Sequence, residues 1–381
     1  MQVMLKPRAL ILLGICLLSS GLTAPAAVTA GQGAPASAGA RDSDWLLSPE
    51  LLDHAGLKAV WQQTLPMKKG ETFAVVTLLG DRLYLRSDRN YMWSLNAVAG
   101  DVVFSRSVAP QGIPVLGLIS YGDRFISVVG NQLTECSVVT GTEERVADLE
   151  LSIVTPPVRN NQFYYVAAGD RRLHVLRAQD LVRIFKVAAD NESLITTVLA
   201  DDNVVVFGTI AGNVVGMMAD APKKLWQFDA AEAIAGPIVR DGNSLYFASK
   251  DTNVYRVDMT GATGASMAWK FQTEAVLDRA PRVTQGYVYQ YAPGRGLTAI
   301  DKRTGQAVWS VPEGLDLLAE AELKAYLITK VRTLVVMDNA TGKRVYSINS
   351  APVVAHISNT ENARIYIADE HGRIVCLTPT R

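Results

Sequence analysis

The chain runs to 381 residues, 49% of them hydrophobic, and its 37 lysines and arginines balance 37 aspartates and glutamates. A near-neutral chain without basic blocks is a poor ligand for nucleic acid or for an anionic membrane surface. The histidines His54, His174, His356 and His371 are scattered, with no Cys, Asp or His at ligand spacing, which argues against a histidine-built metal site.

Residues 1–30 carry Lys6 and Arg8, an apolar run from Ala9 to Leu22, and small residues around Ala24-Pro25-Ala26-Ala27. That is the layout of a secretory signal peptide, too short and wrongly flanked for a membrane span. Cys16 does not read as a lipid-attachment site, because Ile15 precedes it where a small residue is needed and apolar sequence continues beyond it. Residues 31–56 form a Gly-, Ala- and Ser-rich spacer that ends in a short helix. Its signals are Ser48 as N-cap, Pro49 at the first position and Gly56 as the stop. This helix is expected to pack on the outside of the domain that follows.

Residues 57–381 are built from one repeated unit, most complete at Ala299-Ile300-Asp301-Lys302-Arg303-Thr304-Gly305-Gln306-Ala307-Val308-Trp309, with Gly314 closing it. A strand ends at Ala299, Asp301 and Thr304 organise a tight turn, Gly305 supplies its positive φ, and Trp309 leaves as an apolar plate. Weaker copies place Tyr346 four residues after Gly342, Phe104 after Gly100 and Arg145 after Gly141. Trp226 and Trp269 follow longer or altered turns. The preceding strands also repeat, at 84, 126, 164, 205, 246, 289, 327 and 366, a step of 38 to 43 residues. That is the span of a four-stranded propeller blade, and eight copies are present.

The eighth copy runs out near Leu377 without a Trp-bearing strand, and an unclaimed one stands at the other end, around Trp61. The spacing predicts an all-β, eight-bladed β-propeller whose last blade is completed by the N-terminal strand, leaving no open edge. Tyr84, Tyr164, Tyr246, Tyr289 and Tyr366 repeat with the blades and are expected between them. Cys136 and Cys376 fall on the second and eighth blades, too far apart for a disulfide. No Gly-x-Ser-x-Gly, phosphate-binding Gly loop or His-Glu-x-x-His is present.

Ala299, Asp301, Thr304, Gly305, Trp309 and Gly314 resemble in full the tryptophan-docking motif of pyrroloquinoline-quinone (PQQ) type propeller repeats, and partial copies extend the likeness over residues 57–377. The resemblance implies one of two functions. Quinoprotein alcohol dehydrogenases of this kind bind PQQ and calcium over the channel, whereas the BamB-like branch is a non-catalytic scaffold for envelope proteins. The chain departs from the enzyme branch: no two cysteines are adjacent, the blades carry no long insertions, and no calcium-binding set is recognisable. The resemblance therefore favours an exported scaffold without cofactor, monomeric, at most peripheral to a membrane, with other envelope or secreted proteins as partners. PQQ and calcium belong only to the alternative.

In the scaffold branch, loops leading into the inner strands of consecutive blades grip the partner. The corresponding loops here are 191–194, 231–234 and 276–279, with Glu192, Leu194, Glu232, Asp278 and Arg279 as candidate contacts. A second surface is the channel mouth, where Arg159, Arg240 and Arg282 either gather around an anion or pair with acids such as Asp241 and Asp278. The pairing is the reading preferred here.

Overall fold

The computed structural model describes residues 45–261 and 263–380. The signal-peptide reading of 1–30, the question of Cys16 and the spacer up to residue 44 lie outside the described residues.

Eight sheets, each of four antiparallel strands, follow one another along the chain. Blades 1 to 7 span 73–107, 115–148, 158–188, 195–229, 234–272, 282–311 and 314–349. Blade 8 takes three strands from 353–379 and its fourth from Leu57–Thr64. The second and third strands are mostly apolar and largely buried on both faces, because each blade is covered by a neighbour on either side. Lys324–Thr329 shows this: everything after its first residue is buried. The repeated tyrosines stand on those second strands. Tyr84, Tyr164, Tyr246, Tyr289, Tyr326 and Tyr366 are all buried between blades.

Closure takes the expected form. Leu57–Thr64 pairs antiparallel with Arg373–Pro379, from Leu57 opposite Pro379 to Thr64 opposite Arg373, with one irregularity between Ala59 and Trp61. Ala97 of blade 1 ties this seam down. Its carbonyl accepts Trp61 Nε1 at 3.2 Å, the Tyr366 hydroxyl at 3.1 Å and Arg364 Nη1 at 3.2 Å.

Trp61 illustrates how blades lock together. A Cβ on Gly100, whose φ is +84°, would lie 2.5 Å from the Trp61 ring, so only glycine lets the indole sit flat on the turn. Phe104 lies likewise on Gly141, Trp269 on Gly305 and Trp309 on Gly342. Trp269 Nε1 also donates to Lys302 O at 3.0 Å. Trp226 behaves differently: its ring covers Gly216, its cross-strand partner, and nothing approaches Gly261 in the next blade. The third and fourth strands of blade 5, Asn253–Thr260 and Gly264–Gln272, are longer than their counterparts and carry that turn away from Trp226.

Around the fullest copy, Asp301 Oδ1 accepts the amides of Arg303 (3.1 Å) and Thr304 (2.7 Å) and the Thr304 hydroxyl (2.8 Å). The Thr304 bonds, foremost its amide, hold the Asp301 carboxyl below the usual range. Ala299 lies opposite Trp309, and Gly314 lets blade 7 begin close beneath Leu297.

The helix spans Pro49–His54 and packs beside Leu57–Thr64 and the outer strand of blade 7. Ser48 precedes it, but its side chain makes no capping bond; its carbonyl accepts the Leu52 amide at 3.1 Å. At the seam between blades 7 and 8 the chain termini replace the usual turn, and Leu46, Leu47 and Leu52 join the core there. Cys136 and Cys376 are free and buried, and burial pushes both thiols up to about 11.

Candidate protein-docking surface

In an antiparallel four-stranded blade, the turn between strands two and three falls on the same rim as the connection to the next blade. The turns between strands one and two, and three and four, fall on the opposite rim. The docking glycines therefore all belong to one rim. The predicted contact loops 191–194, 231–234 and 276–279 all belong to the other, at three consecutive blade junctions.

The structure brings these loops to one rim but does not equip them equally. Glu192 sits in the short 3-10 turn Asp190–Glu192 and reaches Arg172 at 3.5 Å. Leu194 is half-buried, and its carbonyl accepts the Ile210 amide. Glu232 has an exposed side chain, while its carbonyl accepts Ser249 Oγ at 2.9 Å. Asp278 and Arg279 form a loose pair at 3.8 Å, both exposed, above the fully buried Leu277.

Arg279 does more than pair with Asp278. Its guanidinium lies 4.6 Å from the centre of the Tyr291 ring, and Lys330 Nζ approaches the same ring at 5.3 Å from blade 7. Arg295 stands beside them, paired with Glu274 at 2.9 Å. Two valines flank the group, Val276 at 57% and Val331 at 72% exposure. The result is an aromatic ring held between two cations with exposed apolar side chains at its margin, a combination that suits a protein surface. The sequence reading found Asp278 and Arg279 but missed Tyr291, Lys330 and Val331. Tyr291 was hidden by its resemblance to the repeating core tyrosines two residues upstream.

The channel arginines do not gather. Each stands in the first strand of its blade and is engaged separately, and the acids are not those expected. Arg240 pairs with Asp201 of the preceding blade, and Arg282 makes a two-pronged bond to Asp316 of the following one (3.0 and 2.9 Å). Arg159 lies 3.8 Å over the Tyr121 ring and donates to the Tyr164 hydroxyl at 3.2 Å. Asp241 instead meets Lys302, and Asp278 meets Arg279. The reason is lateral: side chains of first strands reach the neighbouring blade at their own level, not the next acid in sequence.

Asp316 also contacts His356 Nε2 of blade 8 at 3.4 Å. Burial alone would raise its carboxyl. Hydrogen bonds from His356 and Arg282, with the Arg282 charge, outweigh burial and hold it down at about 2. His174 and His371 each meet an aspartate close in sequence, Asp170 at 3.0 Å and Asp369 at 3.7 Å. Among the described residues no three His, Cys, Asp or Glu side chains converge as a metal site would require. A quinone tricarboxylate calls for free cations over the channel, and Arg240 and Arg282 are committed to carboxylates.

A family model described as outer membrane protein assembly factor BamB matches residues 211–331. A comparison with curated proteins finds no match. Among solved structures the chain is similar to BamB from Moraxella catarrhalis, at 14% identity over 84% of this chain and 97% of that one, with a TM-score of 0.65. It is also similar to the computationally designed Ika8 protein (13% identity, 83% and 98% covered, TM-score 0.63). A third likeness is to the Cps50 (Swd1) β-propeller domain of Myceliophteria thermophila (11%, 84% and 99%, TM-score 0.54). At such identities the structural likeness speaks to the fold. The fold is a β-propeller similar to that of BamB, and residues 211–331 are similar to the BamB family model.

Proposed function

We propose that this chain is an exported, non-catalytic scaffold that holds another envelope protein on the rim bearing its blade connections. The observation that carries the reading is the exposed group at blades 6 and 7: Tyr291 between Arg279 and Lys330, with Val276 and Val331 beside it. The residues matched by the assembly-factor model include all five of these. Likeness to BamB supports a periplasmic or envelope location and a protein as ligand. Glu192, Leu194 and Glu232 extend the same rim towards blades 4 and 5 as secondary contacts. The chain works as a monomer in this reading, with neither PQQ nor calcium.

The test is site-specific photo-crosslinking in intact cells. A crosslinker at Val276 or Val331 is expected to capture an envelope protein in fixed ratio. One at Val98, exposed on the opposite rim, is expected to capture none. Equal capture from both rims, or none from either, overturns the proposal. So does a new quinone absorbance with dye-linked alcohol oxidation when the purified protein is titrated with PQQ and calcium.

A further inference from the structure

The ring has eight seams, and the docking pair is not kept at all of them. At the seam between blades 2 and 3 both members of the docking pair are replaced. The aromatic position holds Arg145, and the turn position holds Leu181. Leu181 nevertheless keeps the glycine-like backbone, with φ at +61° and its amide bonded to Arg177 O at 2.8 Å. The same turn bond joins Gly100 to Asn96 and Gly305 to Asp301. A leucine held in the left-handed region is strained where glycine would not be.

Arg145 does not fill the space that an indole fills elsewhere. Its guanidinium turns inward, to Ala178 O at 2.7 Å and Glu135 Oε1 at 3.3 Å. An open cleft of about 430 Å³ remains, with Leu149, Leu151, Leu176 and Leu181 on its walls and the charged Asp148, Glu150, Asp180 and Arg183 beside Arg145. At other seams, clefts of about 110 Å³ (blades 1 and 2, along the inner strands), 150 Å³ (blades 3 and 4) and 380 Å³ (blades 7 and 8) are present. A gap of this kind forfeits the dispersion contacts that its walls would otherwise make.

What remains across this seam is one apolar cluster, Ile126, Val128 and Leu133 of blade 2 against Tyr164, Val166 and Leu176 of blade 3, together with a few polar ties. The Tyr164 hydroxyl crosses it to the buried Glu135 at 2.9 Å, which Arg124 of Glu135's own blade also holds at 2.7 Å, and the Tyr121 hydroxyl donates to Asn161 at 2.6 Å. Water competes for such bonds once they are loosened, so their net worth is small beside packed apolar area. The first strand of blade 3 is only Val158–Arg159, and no strand of blade 2 packs closely along a strand of blade 3. At the terminal seam, by contrast, the first strands of blades 8 and 1 lie together. There Trp61 covers Gly100, and three donors share Ala97 O.

We infer that the ring opens first between blades 2 and 3, and not at the seam the chain termini close. The molecule then has one built-in hinge: blades 2 and 3 part while Leu57–Thr64 stays zipped to Arg373–Pro379.

Native-state hydrogen exchange on the full chain, read by mass spectrometry at low denaturant, tests this. Amides in 143–148 and 172–188 are expected to exchange at least tenfold faster than those in 57–64 and 373–379. The double substitution Arg145→Trp with Leu181→Gly restores the docking pair. It is expected to slow exchange at 143–148 and 172–188 by tenfold or more and to leave the terminal seam unchanged. Earlier exchange at 57–64 overturns the inference, and so does a folded double variant with unaltered exchange. The wild-type order decides the matter even if the double variant does not fold.

Discussion

The two rims of the ring are made from the same repeat and put it to different uses. On one, the turn glycines Gly100, Gly141, Gly305 and Gly342 lie pressed beneath aromatic rings of the preceding blade. On the other, a blade connection carries Val276 and Arg279, and a turn between second and third strands carries Val331, into solvent. The first rim cannot change without altering the interlock, because a single Cβ there meets the aromatic side chain at under 3 Å. The second is free to vary. A propeller thus separates stability from recognition by rim, and a substitution should disturb one or the other but seldom both.

The largest expected effect belongs to closure. Removing 57–64 strips blade 8 of its outer strand, leaves Arg373–Pro379 as an open edge and removes Trp61 from Gly100. The shortened chain is expected to lose cooperative thermal unfolding and to aggregate in size-exclusion chromatography. A monomer with the parent melting profile would show that the ring does not depend on its terminal strand.

Between the rims, the first strands carry a charge cluster whose worth depends on pH. The Asp316 carboxyl is held at about 2 against an ordinary 3.8. A depressed carboxyl stabilises the fold above its unfolded value, and that contribution disappears as pH falls from about 4 to about 2. The size is about 2 kcal/mol. Urea midpoints of the parent and of Asp316→Asn are therefore expected to converge over that interval. Parallel curves would mean that Arg282 and His356 do not hold the carboxylate.

What could be read from sequence was whatever repeats. Eight second strands and the turn glycines gave the blade count, and the strand around Trp61, lacking a blade of its own, gave the closure. The misses are places where one side chain meets another across a seam. Arg282, Asp316 and His356 come from three blades, and no periodicity marks their meeting. Arg145 looked like a lost aromatic, whereas it is an inward-turned cation on Glu135 and Ala178 O. Trp226 carried the right residue type but meets Gly216 in its own blade, because the length of the next hairpin decides what a docking ring can reach.

A smaller effect sharpens what the docking rim contributes. Trp269 Nε1 donates to Lys302 O, whereas Trp309 Nε1 has no partner among the described residues. The carbonyl it would need, Asn339 O, accepts the Tyr287 hydroxyl at 3.4 Å. Both indoles lie on a glycine, so Trp→Phe removes similar apolar area in each case. Trp269→Phe is expected to cost about 1 kcal/mol more than Trp309→Phe, the worth of one hydrogen bond. Equal losses in chemical denaturation would mean that ring contact alone carries the docking.

The smallest change in stability is expected where the largest change in binding is. Arg279 is exposed, its ion pair with Asp278 is loose, and surface pairs of that kind contribute less than 1 kcal/mol. Arg279→Ala should leave the melting temperature nearly unchanged, because Leu277 beneath it stays buried and the Tyr291 ring keeps Lys330. The same substitution removes one of two cations from the face of Tyr291, so capture from Val276 should fall severalfold. If stability drops with capture, the patch is part of the ring's framework and the division of labour between rims fails. If both stay at parent levels, Arg279 is ordinary solvated surface and recognition lies elsewhere on that rim.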